Sequence, residues 1–279
     1  MTKIAYTSDV HLEFDDLILE NTDNVDVLIL AGDIVLIEPL HQHDEASYAN
    51  TPDDKLGPHQ KLAKTFRGFL QRVNDTFPKT IMIMGNHEFY HGKFHASVDH
   101  WFEELEKYPN IVGLEAGHVE IDGVTFVGGT MWSNHNNGDA VTQYHLEHSM
   151  NDFSVVRNDK TGFSKLRPLH TFQRHIHTIR DFNKILDETT GQVVMVTHHA
   201  PSFMSIDPMY VRDKDMNGGY ASDLSEFILD HPQIKYWIHG HVHAQNNYKI
   251  GDTTVLSNPR GYKGYEACAN NFTLKTFDL

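Results

Sequence analysis

The sequence predicts an α/β fold in which two mixed β-sheets pack face to face between layers of helices. Short apolar runs typical of buried strands recur along the chain and alternate with stretches of helical periodicity. A second group of strands, with alternating polarity, begins at His118, so the chain has two halves rich in strands. Two such halves indicate two sheets, each of which covers the apolar face of the other.

The first half opens with two strands, which we predict at residues 4–7 and 25–31. Both are short apolar runs with β-branched residues, a pattern typical of strands buried on both faces, and Gly32 closes the second one. Residues 38–58 contain three prolines and several polar residues, so we predict a loop there. A helix follows at residues 59–74, where an apolar residue recurs every three or four positions.

A third strand, at residues 80–84, leads towards a helix at residues 95–107, which a proline ends. An Asp-Gly pair then joins residues 118–121 to residues 124–127, the signal of a hairpin with a type I′ turn. The remaining predicted elements are a helix at 168–188, a strand at 192–197, a helix at 221–229, a strand that ends at His239, and strands near Tyr248, Val255 and Phe272.

Residues 132–165 differ from the rest of the chain. They are rich in Asn, His, Asp and Gly and hold few apolar residues. Segments of this length without secondary structure are usually functional or mobile. We therefore predict a polar surface excursion that overhangs the site described below and acts as a lid.

The bulk composition indicates one domain over residues 1–279. Apolar residues make up 39% of the chain, with 16 Phe and 11 Tyr, which is sufficient for a sizeable core. The chain enters its first strand at once, and its longest apolar run is far shorter than the roughly 20 residues that cross a bilayer. Its single cysteine, Cys268, is compatible with a reducing compartment. We expect a cytoplasmic protein with no secretion signal and no membrane partner.

The net charge of −15, with histidines neutral, bears on the partners. Such a surface repels the phosphate backbone of nucleic acids at long range, so nucleic-acid polymers are disfavoured as partners.

Five short polar blocks each follow a predicted strand. They are Asp9-Val10-His11, Gly32-Asp33, Gly85-Asn86-His87-Glu88, Thr197-His198-His199 and Gly240-His241-Val242-His243. Loops at the carboxyl ends of buried strands converge in layered α/β proteins, so these blocks are expected to meet at one site. Their imidazole and carboxylate groups favour Mn²⁺, Fe²⁺ or Zn²⁺ over Ca²⁺, and the choice among the three stays open.

In order and content the five blocks resemble the calcineurin-like metallophosphoesterase superfamily. Its signature is Asp-x-His, Gly-Asp, Gly-Asn-His-Glu or Gly-Asn-His-Asp, a lone His after a strand, and Gly-His-x-His. The resemblance covers about residues 3–262 and implies a four-layer α/β/β/α sandwich with two divalent transition-metal ions. It implies that one metal is held by Asp9, His11, Asp33 and His243, and the other by Asp33, Asn86, His198 and His241.

The resemblance also implies roles in catalysis. Asp33 would bridge the two metals, which together activate water and neutralise phosphoryl oxygens. Asn86 would also touch the substrate phosphate, and His87 would act as general acid or phosphoryl stabiliser. Arg260, which follows a strand, is either a bidentate ligand of the substrate phosphate or a solvated surface arginine. Glu88 either orients its neighbours or has no direct role.

The predicted function is hydrolysis of small phosphate esters, with phosphodiesters such as cyclic or linear nucleotides favoured. Phosphomonoesters are one alternative, and a non-catalytic metal-binding scaffold for protein partners is another. The protein Ser/Thr phosphatase branch continues Gly-Asp with a Val-Asp-Arg-Gly type sequence, whereas Ile34 to Ile37 follow here. Purple acid phosphatases place a tyrosine three residues after the bridging aspartate, where this chain has Leu36. Both branches are therefore disfavoured.

Overall fold

The computed structural model describes residues 1–279. The strands, numbered in chain order, are β1 (Lys3–Thr7), β2 (Val27–Ala31), β3 (Lys79–Ile83), β4 (Ile111–Leu114), β5 (Gly117–Ile121), β6 (Val124–Gly129), β7 (Arg157–Asn158), β8 (Ser164–Lys165), β9 (Gln192–Thr197), β10 (Ile234–His239), β11 (Asn246–Ile250), β12 (Thr253–Ser257) and β13 (Lys275–Asp278). The helices are α1 (Ile37–Gln42), α2 (Pro58–Thr76), α3 (Ala96–Leu105), α4 (His135–Gly138), α5 (Ala140–Ser149), α6 (Asp152–Val155), α7 (Pro168–Glu188), α8 (Lys214–Tyr220) and α9 (Ser225–Asp230). None of the helices has the length and apolar character needed to cross a bilayer.

Two large mixed sheets form the centre of the fold. In the first, the strand order is β13-β1-β2-β3-β4, and β13 alone runs antiparallel to its neighbour. In the second, the order is β11-β12-β10-β9-β6-β5, with four parallel strands inside and an antiparallel strand at each edge. The strands β7 and β8 form a separate small hairpin. The predicted fold class is confirmed.

Apolar side chains join these sheets in layers. Between the sheets, Ile29 and Ile81 of the first sheet pack in one cluster with Phe126 and Val194 of the second. A larger cluster on the other face of the first sheet takes in the apolar residues of α2 and α3. A third cluster packs α7 and α9 on the outer face of the second sheet. The result is helix, sheet, sheet and helix in four layers.

The long predicted helices are confirmed. Helix α2 begins at Pro58, whose fixed φ suits the first position of a helix and whose missing N–H costs nothing there. Helix α7 has the predicted bounds, with Phe182 and Leu186 buried on one face. The predicted hairpin turn is also present, because Asp122 and Gly123 both have positive φ, as a type I′ turn requires.

The loop predicted at residues 38–58 is wrong in part, because α1 forms at its start. Pro39 lies in the first turn of α1, where a backbone N–H is not needed for helix hydrogen bonding. Ile37 and Leu40 bury their side chains in the core, which anchors this short helix. Tertiary burial thus outweighs the local signal of the prolines.

The predicted excursion at residues 132–165 also has more order than its composition indicates. It contains α4, α5, α6 and the β7–β8 hairpin. Its few apolar residues are well placed, since Leu146, Phe153 and Val156 all lie buried in the core cluster of the first sheet. Three anchors of this kind are enough to fix short helices whose other faces are polar.

Three smaller differences concern the second half and one edge strand. The helix predicted at 221–229 begins only at Ser225, because Ala221 is extended and bridges to Ala200. The last strand lies at β13 and not near Phe272. The strand β4 was not predicted from the sequence.

A buried ion pair ties α2 to α3. The guanidinium of Arg67 donates from Nε and Nη2 to the two oxygens of Glu104, each at 2.9 Å, and also to backbone carbonyls of the α1 region. Both residues are nearly inaccessible to solvent.

We expect Arg67→Met to lower the free energy of unfolding by about 3 kcal/mol, because the buried Glu104 carboxylate loses both guanidinium hydrogen bonds and keeps only its contacts with Lys107 and Tyr108. Urea denaturation measures this loss. Lys64→Met on the same helix removes an exposed ion pair and should cost less than about 1 kcal/mol. The double variant Arg67→Met/Glu104→Leu should recover part of the loss. No recovery would mean that lost packing, and not the weakened pairing of Glu104, causes the destabilisation.

Candidate metal centre

Five strand ends bring all seven predicted metal-binding side chains together. Each of these residues follows the carboxyl end of a parallel strand, namely β1, β2, β3, β9 or β10. Six of the seven are buried, and the His243 side chain is 15% exposed. The seven are Asp9, His11, Asp33, Asn86, His198, His241 and His243. The expected convergence at one edge of the two sheets is therefore what the structure has.

The backbone at these strand ends is strained. A positive φ is uncommon outside glycine and costs on the order of 1–3 kcal/mol per residue. Five of the seven side chains sit on such residues, with φ between 47° and 68°: Asp9, His11, Asp33, His241 and His243. Strain concentrated in this way is typical of functional sites, where the surrounding structure holds side chains in one geometry.

Glu88 holds two of the blocks in place. Its carboxylate accepts hydrogen bonds from the backbone N–H groups of Asp33, Ile34 and Gly85, at 2.6–3.0 Å. This contact locks the loop after β2 against the loop after β3. Gly85 completes the fit, because a Cβ there would collide with the carboxylate of Asp33. Of the two readings left open for Glu88, the structure has it orienting its neighbours.

One half of the centre is formed around His11 and His243. Their Nε2 atoms lie 3.1 Å apart, and Asp9 Oδ1 lies 3.4 Å from His243 Nε2. Burial disfavours charge on both Asp9 and His243, but their mutual attraction outweighs it. This attraction lowers the pKa of Asp9 to about 2 and raises the pKa of His243 to about 10. The Asp9 carboxylate and the imidazole nitrogens of His11 and His243 thus lie close together in this half of the centre.

The other half is formed around His198. Its Nε2 lies 3.1 Å from Asn86 Oδ1 and 3.3 Å from Asp33 Oδ2. His241 adds a buried Nε2 that has no hydrogen-bond partner in the protein. The same Asp33 Oδ2 lies 3.7 Å from His11 Nε2, so this one oxygen faces both halves.

The histidines are oriented through their other ring nitrogen. Nδ1 of His198 is 3.0 Å from the carbonyl of Ala31, and Nδ1 of His243 is 2.8 Å from Glu266 Oε2. Nδ1 of His11 is 3.1 Å from Glu13 Oε1. An Nδ1–H that donates to an oxygen leaves the Nε2 lone pair free for a cation, which is the usual arrangement around metal-binding histidines.

This donor set fits divalent transition metals. The potential ligand atoms of three groups lie within 4.8 Å of one another: Asp9 with His11 and His243, His11 with Asp33 and His87, and Asp33 with His198 and His241. The unpartnered His241 Nε2 and the aligned lone pairs of the other histidines are the features that a cation would satisfy.

His87 lies beside the cluster, in a contact network of its own. Its Nδ1 is 2.8 Å from Glu13 Oε1, its ring stacks on Tyr90 at 4.1 Å, and its Nε2 is 3.4 Å from the Tyr262 hydroxyl. Burial disfavours a charged imidazole, but the carboxylates of Asp33 and Glu13 outweigh it and raise the pKa of His87 to about 9. Burial acts to raise the pKa of Glu13, but hydrogen bonds from His11 and His87 outweigh this effect and lower the pKa to about 2.

Arg260 does not reach the site, so the prediction that it binds substrate phosphate is not supported. Its guanidinium is buried and donates to the carbonyls of Val10, Asp15 and Asp16 and to the carboxylate of Asp15. These bonds fix the loop after β1, which carries His11 and Glu13. The surface alternative is wrong as well, because the residue is only 3% exposed.

Several residues of the site were missed by sequence reasoning. Five of them contact motif side chains but belong to no motif, namely Glu13, Tyr90, Tyr220, Tyr262 and Glu266, and Asp152 contacts one of these five, Tyr90. A signal existed only for Glu13, which continues the alternation of Asp9 and His11 by two residues. His199, which follows His198 in the same block, lies buried with its ring 4.2 Å from that of His241.

A pocket of about 470 Å³ opens above the cluster, a volume typical of small-molecule sites. Asp33, Asn86, His87, His241 and His243 form its floor. Residues 149–152 form part of its wall, which places the middle of the excursion next to the site.

Comparison with known proteins supports this architecture. A family model described as calcineurin-like phosphoesterase matches residues 2–245. The uncharacterized protein L509 of Acanthamoeba polyphaga mimivirus is 25% identical over 287 aligned positions, which cover 94% of this chain and 92% of that protein. The phosphopantetheinyl hydrolase PptH from Mycobacterium tuberculosis has a similar structure, with a TM-score of 0.67 at 13% identity, over 99% of this chain and 95% of that one.

At 13% identity, the structural likeness shows a shared fold and nothing further about substrate. The family model is the stronger finding, because it spans most of the chain and all five polar blocks. This chain belongs to the calcineurin-like phosphoesterase family and is a metal-dependent phosphoesterase.

Proposed function

We propose that this chain hydrolyses small phosphodiesters, the class that includes cyclic and linear nucleotides, at a centre of two divalent metal ions. One ion would be held by Asp9, His11, Asp33 and His243, and the other by Asp33, Asn86, His198 and His241. The position of Asp33 Oδ2 between the two halves supports a bridging role. When bound, two cations would neutralise phosphoryl oxygens and lower the pKa of the attacking water.

The residues around the ions would position the ester. The amide of Asn86 and the imidazole of His87 both face the pocket, so they are placed to contact the phosphoryl group. Glu13 accepts from His87 Nδ1, which leaves Nε2 as the atom that donates to the leaving alcohol. Tyr90 and Tyr262 fix the plane of that imidazole from two sides.

The preference for diesters is carried by one observation: the pocket lining contains no lysine or arginine. A phosphomonoester brings up to two negative charges at neutral pH, whereas a diester brings one. Without a guanidinium to pair with the additional charge, the site neutralises a monoanion better than a dianion. Arg260, the one candidate for that task, is engaged elsewhere.

The Mn²⁺-loaded protein is expected to hydrolyse methyl p-nitrophenyl phosphate with a kcat/KM about tenfold or more above that for p-nitrophenyl phosphate. Tenfold corresponds to about 1.4 kcal/mol, a modest penalty for one unpaired charge. Both esters release p-nitrophenolate, so the leaving group is the same. The chelated protein serves as the control and should be inactive on both.

Two other outcomes would favour the alternatives. A tenfold preference for the monoester would support a nucleotidase-like phosphomonoesterase. Metal binding without hydrolysis of any ester would support a scaffold for protein partners. We further propose that residues 1–279 act as one domain in the cytoplasm, since the five blocks come from both ends of the chain and the lone Cys268 needs no oxidising compartment.

A further inference from the structure

The wall of the pocket beyond the metal-binding residues is acidic. Asp152, Asp207 and Asp213 line it, and none of the three forms an ion pair within the chain. Arg212 and Lys214 flank Asp213 in sequence but do not line the pocket. A substrate group that extends from the phosphate along this wall therefore meets carboxylates and no lysine or arginine.

Asp152 has an oxygen that the protein leaves without a partner. The residue is 2% exposed, and its Oδ2 accepts a hydrogen bond of 3.2 Å from the Tyr90 hydroxyl. Its Oδ1 is buried and has no hydrogen-bond partner. A buried carboxylate oxygen without a donor is costly and uncommon in folded proteins. At a pocket wall, such an oxygen indicates that a ligand supplies the missing positive or hydrogen-bonding group.

The same wall is aromatic. Tyr90, Tyr210, Tyr220 and Tyr262 line the pocket together with two methionines. The faces of tyrosine rings attract cations through the ring quadrupole, and aromatic cages are the usual receptors of quaternary ammonium groups. Carboxylates combined with aromatic rings thus select an organic cation over a neutral or anionic group.

A short chain of hydrogen bonds connects this wall to the phosphate end of the site. Asn86 Nδ2 donates to the Tyr90 hydroxyl at 3.3 Å, and this hydroxyl donates to Asp152. Asp152 is thus one tyrosine hydroxyl away from the amide that faces the phosphoryl group. If a cationic group is two to three covalent bonds from a phosphoester oxygen, it extends from the phosphoryl position beside Asn86 to Asp152, as standard bond lengths indicate.

We propose that this wall binds an ammonium group in the alcohol portion of the substrate, so that the substrate is a small phosphodiester of an amino alcohol. The inference rests on the proposed function and narrows it. In the reaction, water adds to phosphorus and releases one proton to solvent, and the P–O bond to the other alcohol breaks. That alcohol leaves with a proton from His87, while the ester bond to the amino alcohol stays intact. The ammonium group takes no part in the bond changes and acts through binding.

The test compares two diesters with the same leaving group. One is p-nitrophenyl phosphorylcholine, and the other is p-nitrophenyl 3,3-dimethylbutyl phosphate, in which carbon replaces the charged nitrogen at the same size. For the metal-loaded full chain we expect kcat/KM to be about tenfold or more higher for the choline ester, the effect of a desolvated cation on aromatic and carboxylate groups.

Substitutions then locate the effect. Asp152→Asn keeps the size of the side chain and should bring the ratio of the two kcat/KM values close to 1, with metal content unchanged. Asp213→Asn, at another position of the pocket lining, should lower this ratio in part. The matched control is Asp215→Asn, an aspartate of α8 that faces His145 outside the pocket. This control should keep the wild-type ratio.

Each outcome has a defined meaning. Equal kcat/KM values for both esters would overturn the ammonium site and leave the phosphodiesterase proposal intact. Hydrolysis of neither ester would refute both. Faster turnover of cyclic AMP than of glycerophosphocholine would also overturn the ammonium site. Activity on glycerophosphocholine supports a soluble source of the ester, whereas activity only on phosphatidylcholine vesicles supports a lipid source.

Discussion

Asp33→Asn is expected to reduce the metal content from two ions to one or none per chain and to lower kcat/KM by about 10³-fold or more. Loss of a residue that only supports a metal ligand costs about 10- to 100-fold, and loss of a bridging ligand should exceed that. The asparagine would present either an NH₂ group or a weaker neutral oxygen where Asp33 Oδ2 faces His11 and His198. Elemental analysis after loading and dialysis, paired with a diester assay, measures both effects.

The control for this variant is Asp122→Asn in the β5–β6 turn. Asp33 and Asp122 both have a positive φ, which asparagine tolerates, so neither substitution strains the backbone further. Asp122→Asn should therefore keep two ions and full activity. A wild-type protein that saturates at one ion would contradict the dinuclear proposal, and an Asp33→Asn variant that retains both ions would contradict the bridging role of Asp33.

Much of the centre could be predicted because each block is local. Asp9 and His11, or His241 and His243, are close in sequence and follow recognisable strands. Within each sheet the strands that carry these blocks are parallel, so their carboxyl ends lie at the same edge of that sheet. Asp33 and His198 follow strands of different sheets, β2 and β9, and they lie together because the two sheets pack face to face with these edges side by side.

What could not be predicted depends on contacts between distant segments. Arg260 was misassigned because its partners lie in the loop at Asp15 and Asp16, about 245 positions earlier in the chain. No local sequence pattern indicates a contact over that separation. Asp152 reaches Tyr90 only because three buried side chains dock the excursion on the core. Composition described the exposed faces of that segment correctly but contained no information on where it docks.

The family motif and the distances in the structure indicate different roles for His87. The motif does not assign His87 as a metal ligand, yet a ring nitrogen of His87 lies within 4.8 Å of possible ligand atoms of His11 and Asp33. Its contacts favour the catalytic role, because Glu13 accepts from Nδ1 and only Nε2 remains towards the pocket. A histidine oriented by a carboxylate in this way is suited to proton transfer.

We therefore expect His87→Ala to keep both metal ions and to lower kcat by about 10²- to 10⁴-fold on a diester with a poor leaving group such as an alkoxide. The loss should be smaller for p-nitrophenolate, which departs without a proton. His91→Ala, at an exposed histidine four residues further on, should change neither value. If His87→Ala loses a metal ion, the residue is a ligand. If it loses equal activity on both esters with both ions retained, His87 stabilises the phosphoryl group and is not the proton donor, because only a proton donor discriminates between leaving groups.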